Sequence, residues 1–185
     1  MNTIIVSLLV VSGIAFSRDL GDVRYFGEFG FGLTRSQFPS TKNGINSHLS
    51  ITAGPEPYYL RISHAVNGVY SAAYPKDKLR ANNLLLGRSF TLYTESDHSG
   101  GTALEWNIVL YSGITFLQNQ AAVTMMGPFD DRTHLILENG YGIPLEMELH
   151  YLLPKYRGVG LNVFYNINPF RDYYGVCITF IVGYF

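Results

Sequence analysis

Glu146, Glu148 and His150 fall on alternate positions of one segment. In an extended chain they share a face. Two carboxylates and an imidazole so placed could ligate a metal or serve as acid and base. The simpler expectation is that they pair with buried cations, because unpaired buried ions are very costly. Arg24, Glu28, Arg61, Glu105, Glu146, Glu148 and His150 are therefore expected to form an interior polar network. No residue is assigned a catalytic, cofactor-binding or metal-binding role. His48 and Ser50 also share a face, as a nucleophile and base would, but no third orienting group can be placed beside them. Asp130-Asp131-Arg132-Thr133-His134 reads as a solvated charged loop that could bind a cation weakly. There is no glycine-rich phosphate loop and no cysteine metal motif.

These residues must be positioned by strands, because the dominant period of the chain is two. Val23 to Leu33 sets Val23, Tyr25, Phe29, Phe31 and Leu33 against Arg24, Phe26, Glu28, Gly30 and Gly32. Ile45 to Ala53, Tyr58 to Val66, Leu104 to Phe116, Ile143 to Leu153, Val159 to Ile167 and Tyr173 to Phe185 alternate in the same way. In Asn83 to Tyr93, Arg88 shares the apolar face of Leu84, Leu86, Phe90 and Leu92. Either Arg88 lies near a rim, or a bulge beside Gly87 flips the parity. The pattern predicts about eight strands, each near the roughly 9–11 residues of a tilted bilayer crossing. Thr34 to Gly44, Asn67 to Asn82 and Gln118 to Leu137 read as long loops. Gly54-Pro55-Glu56-Pro57 and Pro154-Lys155 read as tight turns. Long loops at one rim and short turns at the other describe an antiparallel up-and-down transmembrane β-barrel, with both termini at the short-turn rim.

The direction of the two faces decides between a membrane barrel and a soluble one. A soluble barrel has an apolar interior and a charged exterior, and a membrane barrel has the reverse. Charged residues make up only 15% of the 185 residues, against roughly 25% in soluble domains. The polar faces are rich in Gly, Ser, Thr and Asn and poor in Lys, unlike a water-facing exterior. Tyr25, Trp106, Tyr151, Tyr165, Tyr174 and Tyr184 lie near strand ends, where interfacial girdles form. The net charge of -1 gives no case for nucleic acid. The single Cys177 forms no internal disulfide. Ile4 to Phe16 is an uncharged apolar run of about 13 residues, too short for a membrane-spanning helix. Ala15-Phe16-Ser17 at its end resembles a small-x-small cleavage site, so residues 1–17 are expected to be a secretory signal peptide and residues 18–185 a single barrel domain.

The C-terminal third carries a resemblance. Gly142-Ile143-Pro144-Leu145-Glu146, Gly158-Val159-Gly160-Leu161, Asn166-Ile167-Asn168-Pro169 and Tyr174-Gly175-Val176 follow one another in a progression. It resembles that of an uncharacterised family of small Bacteroidetes outer-membrane β-barrel proteins. Tyr59-Leu60-Arg61 and Leu84-Leu85-Leu86-Gly87-Arg88-Ser89-Phe90 look like that family's earlier strands. Members often end in a Gly-Lys-type tail, whereas this chain ends at Tyr184-Phe185, which resembles the aromatic signal read by outer-membrane assembly machinery. The resemblance implies fold and location, and no activity.

The expected function is that of a non-enzymatic outer-membrane barrel with a side-chain-filled lumen. Lipid and lipopolysaccharide would surround it, no cofactor is implied, and the long loops would serve adhesion, binding or envelope integrity. Two other classes remain open at this point. One is an outer-membrane enzyme, either protease-like or similar to lipid A deacylases, whose His-x-Ser pair resembles His48 and Ser50. The other is a secreted lipocalin-like barrel holding an apolar ligand.

Overall fold

The computed structural model describes residues 23–36, 42–69, 78–96, 102–126, 131–153, 157–170 and 172–184. Residues 1–17 and Phe185 lie outside the described residues, as does the Pro154-Lys155 turn. The described residues form β1 (Val23–Ser36), β2 (Lys42–Pro55), β3 (Tyr58–Val69), β4 (Lys78–Ser96), β5 (Thr102–Met126), β6 (Asp131–Leu153), β7 (Arg157–Ile167) and β8 (Tyr173–Tyr184). Each strand is antiparallel to the next, and β8 pairs with β1 to close the ring. Closure pairs the backbone groups that lipid cannot satisfy.

The alternation predicts the faces, and the barrel obeys it. Along β7, Val159, Leu161 and Val163 point outward, while Gly160, Asn162, Phe164 and Asn166 are buried. Phe29, Phe31, Leu60, Ile62, Leu84, Leu86, Ile114, Leu145 and Ile178 are likewise exposed outside, while Thr52, Arg61, Glu148 and Asn162 are fully buried inside. This is the polarity of a transmembrane barrel, the inverse of a soluble barrel with an apolar pocket. Aromatic pairs mark both ends of the outer band. Tyr25 stacks on Tyr184 and Trp106 meets Tyr151 toward the short-turn rim. Tyr165 stacks on Tyr174 toward the other.

The lumen is layered. Phe26, Tyr59, Leu85, Val109, Tyr111, Leu152 and Ile181 form an apolar cluster toward the short-turn end. Ala65, Leu79, Ala81, Leu117, Phe164, Tyr173 and Cys177 form another toward the long-loop end. The polar network lies between them. At about eight strands a barrel is just wide enough for side chains to fill it, and these do.

The expected loops Thr34 to Gly44 and Asn67 to Asn82 are shorter than the sequence predicts, because β1 runs to Ser36, β2 starts at Lys42, β3 runs to Val69 and β4 starts at Lys78. Two further expectations are corrected. Gln118 to Leu137 is not a loop. β5 runs 25 residues and β6 runs 23, more than twice the 11 of β7. Their ladder continues from Gln120↔Leu137 to Met126↔Asp131, past the last β4 partner at Lys78↔Gln120. β6 meets β7 only from Ile143 onward. The result is a two-stranded hairpin that rises beyond the barrel wall, and Asp131 to His134 belong to its strand rather than to a loop. The second correction concerns Gly87. No bulge lies beside it, and the β4–β5 register shifts between Thr91 and Tyr93 and between Glu95 and Ser96, both beyond Arg88. Arg88 therefore keeps the outward parity, and it sits at the rim alternative: its register partner on β3 is Tyr58, the first residue after the tight turn. Its guanidinium lies 5.7 Å from the Tyr58 ring and 5.1 Å from the Phe90 ring, within cation–π range.

Candidate functional site

Inward parity brings Glu28 from β1, Arg61 from β3, and Glu146, Glu148 and His150 from β6 to the middle of the lumen. Arg61, fully buried, is the hub. Its Nη2 donates to Glu148 Oε2 at 2.6 Å and lies 2.8 Å from Glu28 Oε2. Its Nη1 reaches Glu146 Oε2 at 3.4 Å, and its Nε donates to Thr52 Oγ1 at 2.9 Å. The guanidinium also stacks over the Tyr111 ring, 3.8 Å from its centre. His150 Nε2 lies 2.9 Å from Glu148 Oε2 and 3.3 Å from Glu28 Oε1. Asn162 Nδ2 donates to Glu148 Oε1 at 2.5 Å and to Glu146 Oε2 at 3.3 Å. Strands that are not neighbours in the ring are thereby tied across it. Buried ions of this kind persist only when paired and hydrogen-bonded on all sides.

Arg24 and Glu105 make a separate pair near the short-turn rim. Arg24 Nη1 donates to Glu105 Oε1 at 2.7 Å, and Arg24 Nη2 lies 2.9 Å from Glu56 Oε2. Asn107 Nδ2 also donates to Glu105 Oε1. The seven expected residues thus fall into two groups, one of five and one of two. Glu56, Thr52, Tyr111, Asn107 and Asn162 were not singled out in the sequence. Glu56 sits in the turn, and the others are uncharged, so inward parity was their only signal.

The arrangement limits the chemistry available. Ser50 is buried, and its Oγ donates to Glu28 Oε2 at 3.0 Å. It is a member of the ion-pair network, and His48 is not its hydrogen-bond partner. Glu28, Glu148 and His150 place their ligand atoms within 4.8 Å of one another, a spacing a metal could use. Arg61 Nη2, however, already contacts both carboxylates, so a positive charge stands at that point. The side chains of Asp131, Arg132, Thr133 and His134 lie outside the described residues.

No family model matches the chain, and no curated protein matches its sequence. Solved structures do match in fold. The Neisserial surface protein A aligns with a TM-score of 0.57 and 14% identity, over 87% of this chain and 97% of that one. Ail, the attachment invasion locus protein of Yersinia pestis, aligns with a TM-score of 0.55 and 9% identity, over 89% of this chain and 99% of its own. A second structure of Ail, in complex with the heparin analogue sucrose octasulfate, aligns at 0.54 and 10% identity. Such identities establish a shared fold, that of small outer-membrane barrels of eight strands.

Proposed function

We propose that this chain is an integral, non-enzymatic protein of the outer membrane of a Gram-negative bacterium, acting at the cell surface through its long-loop rim. The observation that carries the reading is the inverted polarity of the barrel, apolar outside and ionic inside. Single-chain barrels of this polarity are outer-membrane proteins. A filled lumen leaves no general pore, so activity falls to what stands above the membrane. There the β5–β6 hairpin exposes Ile136, Leu137 and Tyr141 beyond the end of β7. Apolar groups on a projecting hairpin suit adhesion to, or capture of, a protein partner. Ail's complex with a heparin analogue extends the same reading to sulfated glycans as candidates.

Several parts of this reading rest on sequence. Residues 1–17 would direct export, and the final strand would be read by the assembly machinery. Lipid and lipopolysaccharide would contact the outer band. The motif progression between Gly142 and Val176 supports kinship with the Bacteroidetes barrel family.

The test is semi-native electrophoresis of an outer-membrane fraction, with and without boiling, followed by adhesion assays on whole cells. A heat-dependent mobility shift, with adhesion lost when residues 122–135 are replaced by a short turn, is expected. A chain soluble without detergent would overturn the location. Unchanged adhesion after hairpin removal would overturn the role of the rim.

A further inference from the structure

Above Arg61, toward the long-loop end, the polar network leaves a small cavity. It measures about 10 Å³, the room that one water-sized particle needs. Asn46, His48, Asn83, Glu146 and Asn166 line it, with Tyr173 beside them and Ala65 and Phe164 on its apolar side. Three of its polar atoms have no hydrogen-bond partner: Asn46 Oδ1, His48 Nε2 and Asn83 Oδ1. Their residues are only 2%, 6% and 6% exposed. Leaving such groups unmatched in a dry interior is unfavourable.

The two amide oxygens can be met only by a donor or a cation. Asn83 Nδ2 donates to Ser63 Oγ at 2.9 Å and faces Glu146 Oε1 at 3.5 Å, which fixes the amide orientation and leaves Oδ1 as the orphan. Asn46 Oδ1 is an acceptor, and a neutral imidazole protonated at Nδ1 makes His48 Nε2 an acceptor too. Glu146 is the least tightly held of the three central carboxylates. Its contacts from Arg61, Asn162 and Asn83 are 3.4, 3.3 and 3.5 Å, whereas Glu148 and Glu28 lie 2.6 and 2.8 Å from Arg61 Nη2. With His48 Nε2 as an acceptor, four acceptor groups line the cavity, more than the two protons of one water can meet. His150 lies beside Glu148 and Glu28, which leaves Glu146 with the longest of the three carboxylate contacts to Arg61.

We propose that this cavity is a site for a single divalent cation of the class that accepts imidazole together with carboxylate and amide oxygens. The ligands are His48 Nε2, the Glu146 carboxylate, Asn46 Oδ1 and Asn83 Oδ1. The ion would join β2, β4 and β6 across the lumen and fix the wall beneath the projecting hairpin. The Glu28–Glu148–His150 cluster is not this site, because Arg61 already supplies its positive charge.

The experiment uses the untagged full chain folded in detergent micelles and treated with a chelator. Co²⁺ is the probe, read by visible absorption, by metal content per chain and by the shift in the unfolding midpoint. One Co²⁺ per chain, a visible ligand-field band and a raised midpoint are expected. His48→Ala, checked for folding by its heat-dependent mobility, should weaken Co²⁺ binding by about tenfold or more. Asn46→Leu should weaken it less and leaves the ion-pair network intact. His64→Ala, on the outer face, should bind as the wild type does. Absence of Co²⁺ binding would overturn the proposal. So would binding that survives His48→Ala and Asn46→Leu but is lost in His150→Gln.

Discussion

Arg61 on β3 and Glu148 on β6 meet at 2.6 Å across the lumen, and neither has any exposed side-chain surface. Strands three apart in the ring are thereby held by one charge-assisted bond. Removing the cation strands Glu28, Glu146 and Glu148 together. Arg61→Met should therefore lower unfolding stability by about 3–5 kcal/mol. Adding Glu148→Gln should recover part of that loss, because one uncompensated carboxylate is gone. Urea titration in micelles, followed by the fluorescence of the single Trp106, reads both. Wild-type stability in Arg61→Met would show that the network is not what holds the wall.

Gly87 admits the ring on which Arg61 rests. A methyl group at that position would run into the Tyr111 side chain across the β4–β5 pair. Gly87→Ala should cost about 1–3 kcal/mol by overpacking. In a Tyr111→Leu background the same change should be closer to neutral, because the ring is gone. A double-mutant cycle checks this, and simple additivity would mean that the two positions do not compete for space.

The strand faces were legible because lipid imposes a strict rule on them. Every outward position between the girdles must be apolar, so the period-two signal is strong from Val23 to Leu33 and from Val159 to Ile167. The same rule explains why the upper halves of β5 and β6 resemble a loop in sequence. Neighbouring Ile136 and Leu137 are both exposed, and Gln118, Asn119, Gln120, Glu138 and Asn139 put polar residues at both parities, so there is no apolar alternation to detect. Nor could the sequence divide the charged residues into a central and a rim group. The Arg24–Glu105 and Arg61–Glu148 contacts are set by stagger around a closed ring, which local spacing does not encode. Arg88 shows the opposite case. Its parity was legible, and only its height needed the register with Tyr58.

Depth in the membrane should govern the effect of charge on the outer face. Leu161 lies midway along β7, between Val159 and Val163, and points outward. Leu161→Arg should destabilise the barrel in lipid vesicles by about 2–4 kcal/mol, as expected near a bilayer midplane. Arg88→Leu, at the rim, should change stability by about 0–1 kcal/mol. Equal effects at the two positions would mean that no apolar slab surrounds the barrel.

Ser50 separates a structural role from a catalytic one. Its hydroxyl donates to Glu28 Oε2, the oxygen that Arg61 Nη2 also contacts. A nucleophilic serine needs a base positioned to take its proton, whereas here the partner is a carboxylate already engaged with a guanidinium. Ser50→Ala should thus cost about 1.5–3 kcal/mol of stability, the usual range for a hydrogen bond to a charged group. Ser50 is also 2% exposed and enclosed by the barrel wall, so a substrate has no approach to it. A serine-directed fluorophosphonate should leave the folded chain unlabelled, with mass spectrometry of the digested protein as the readout. Labelling at Ser50 that disappears on His48→Ala would revive the hydrolase reading, because only an activated hydroxyl reacts in that way.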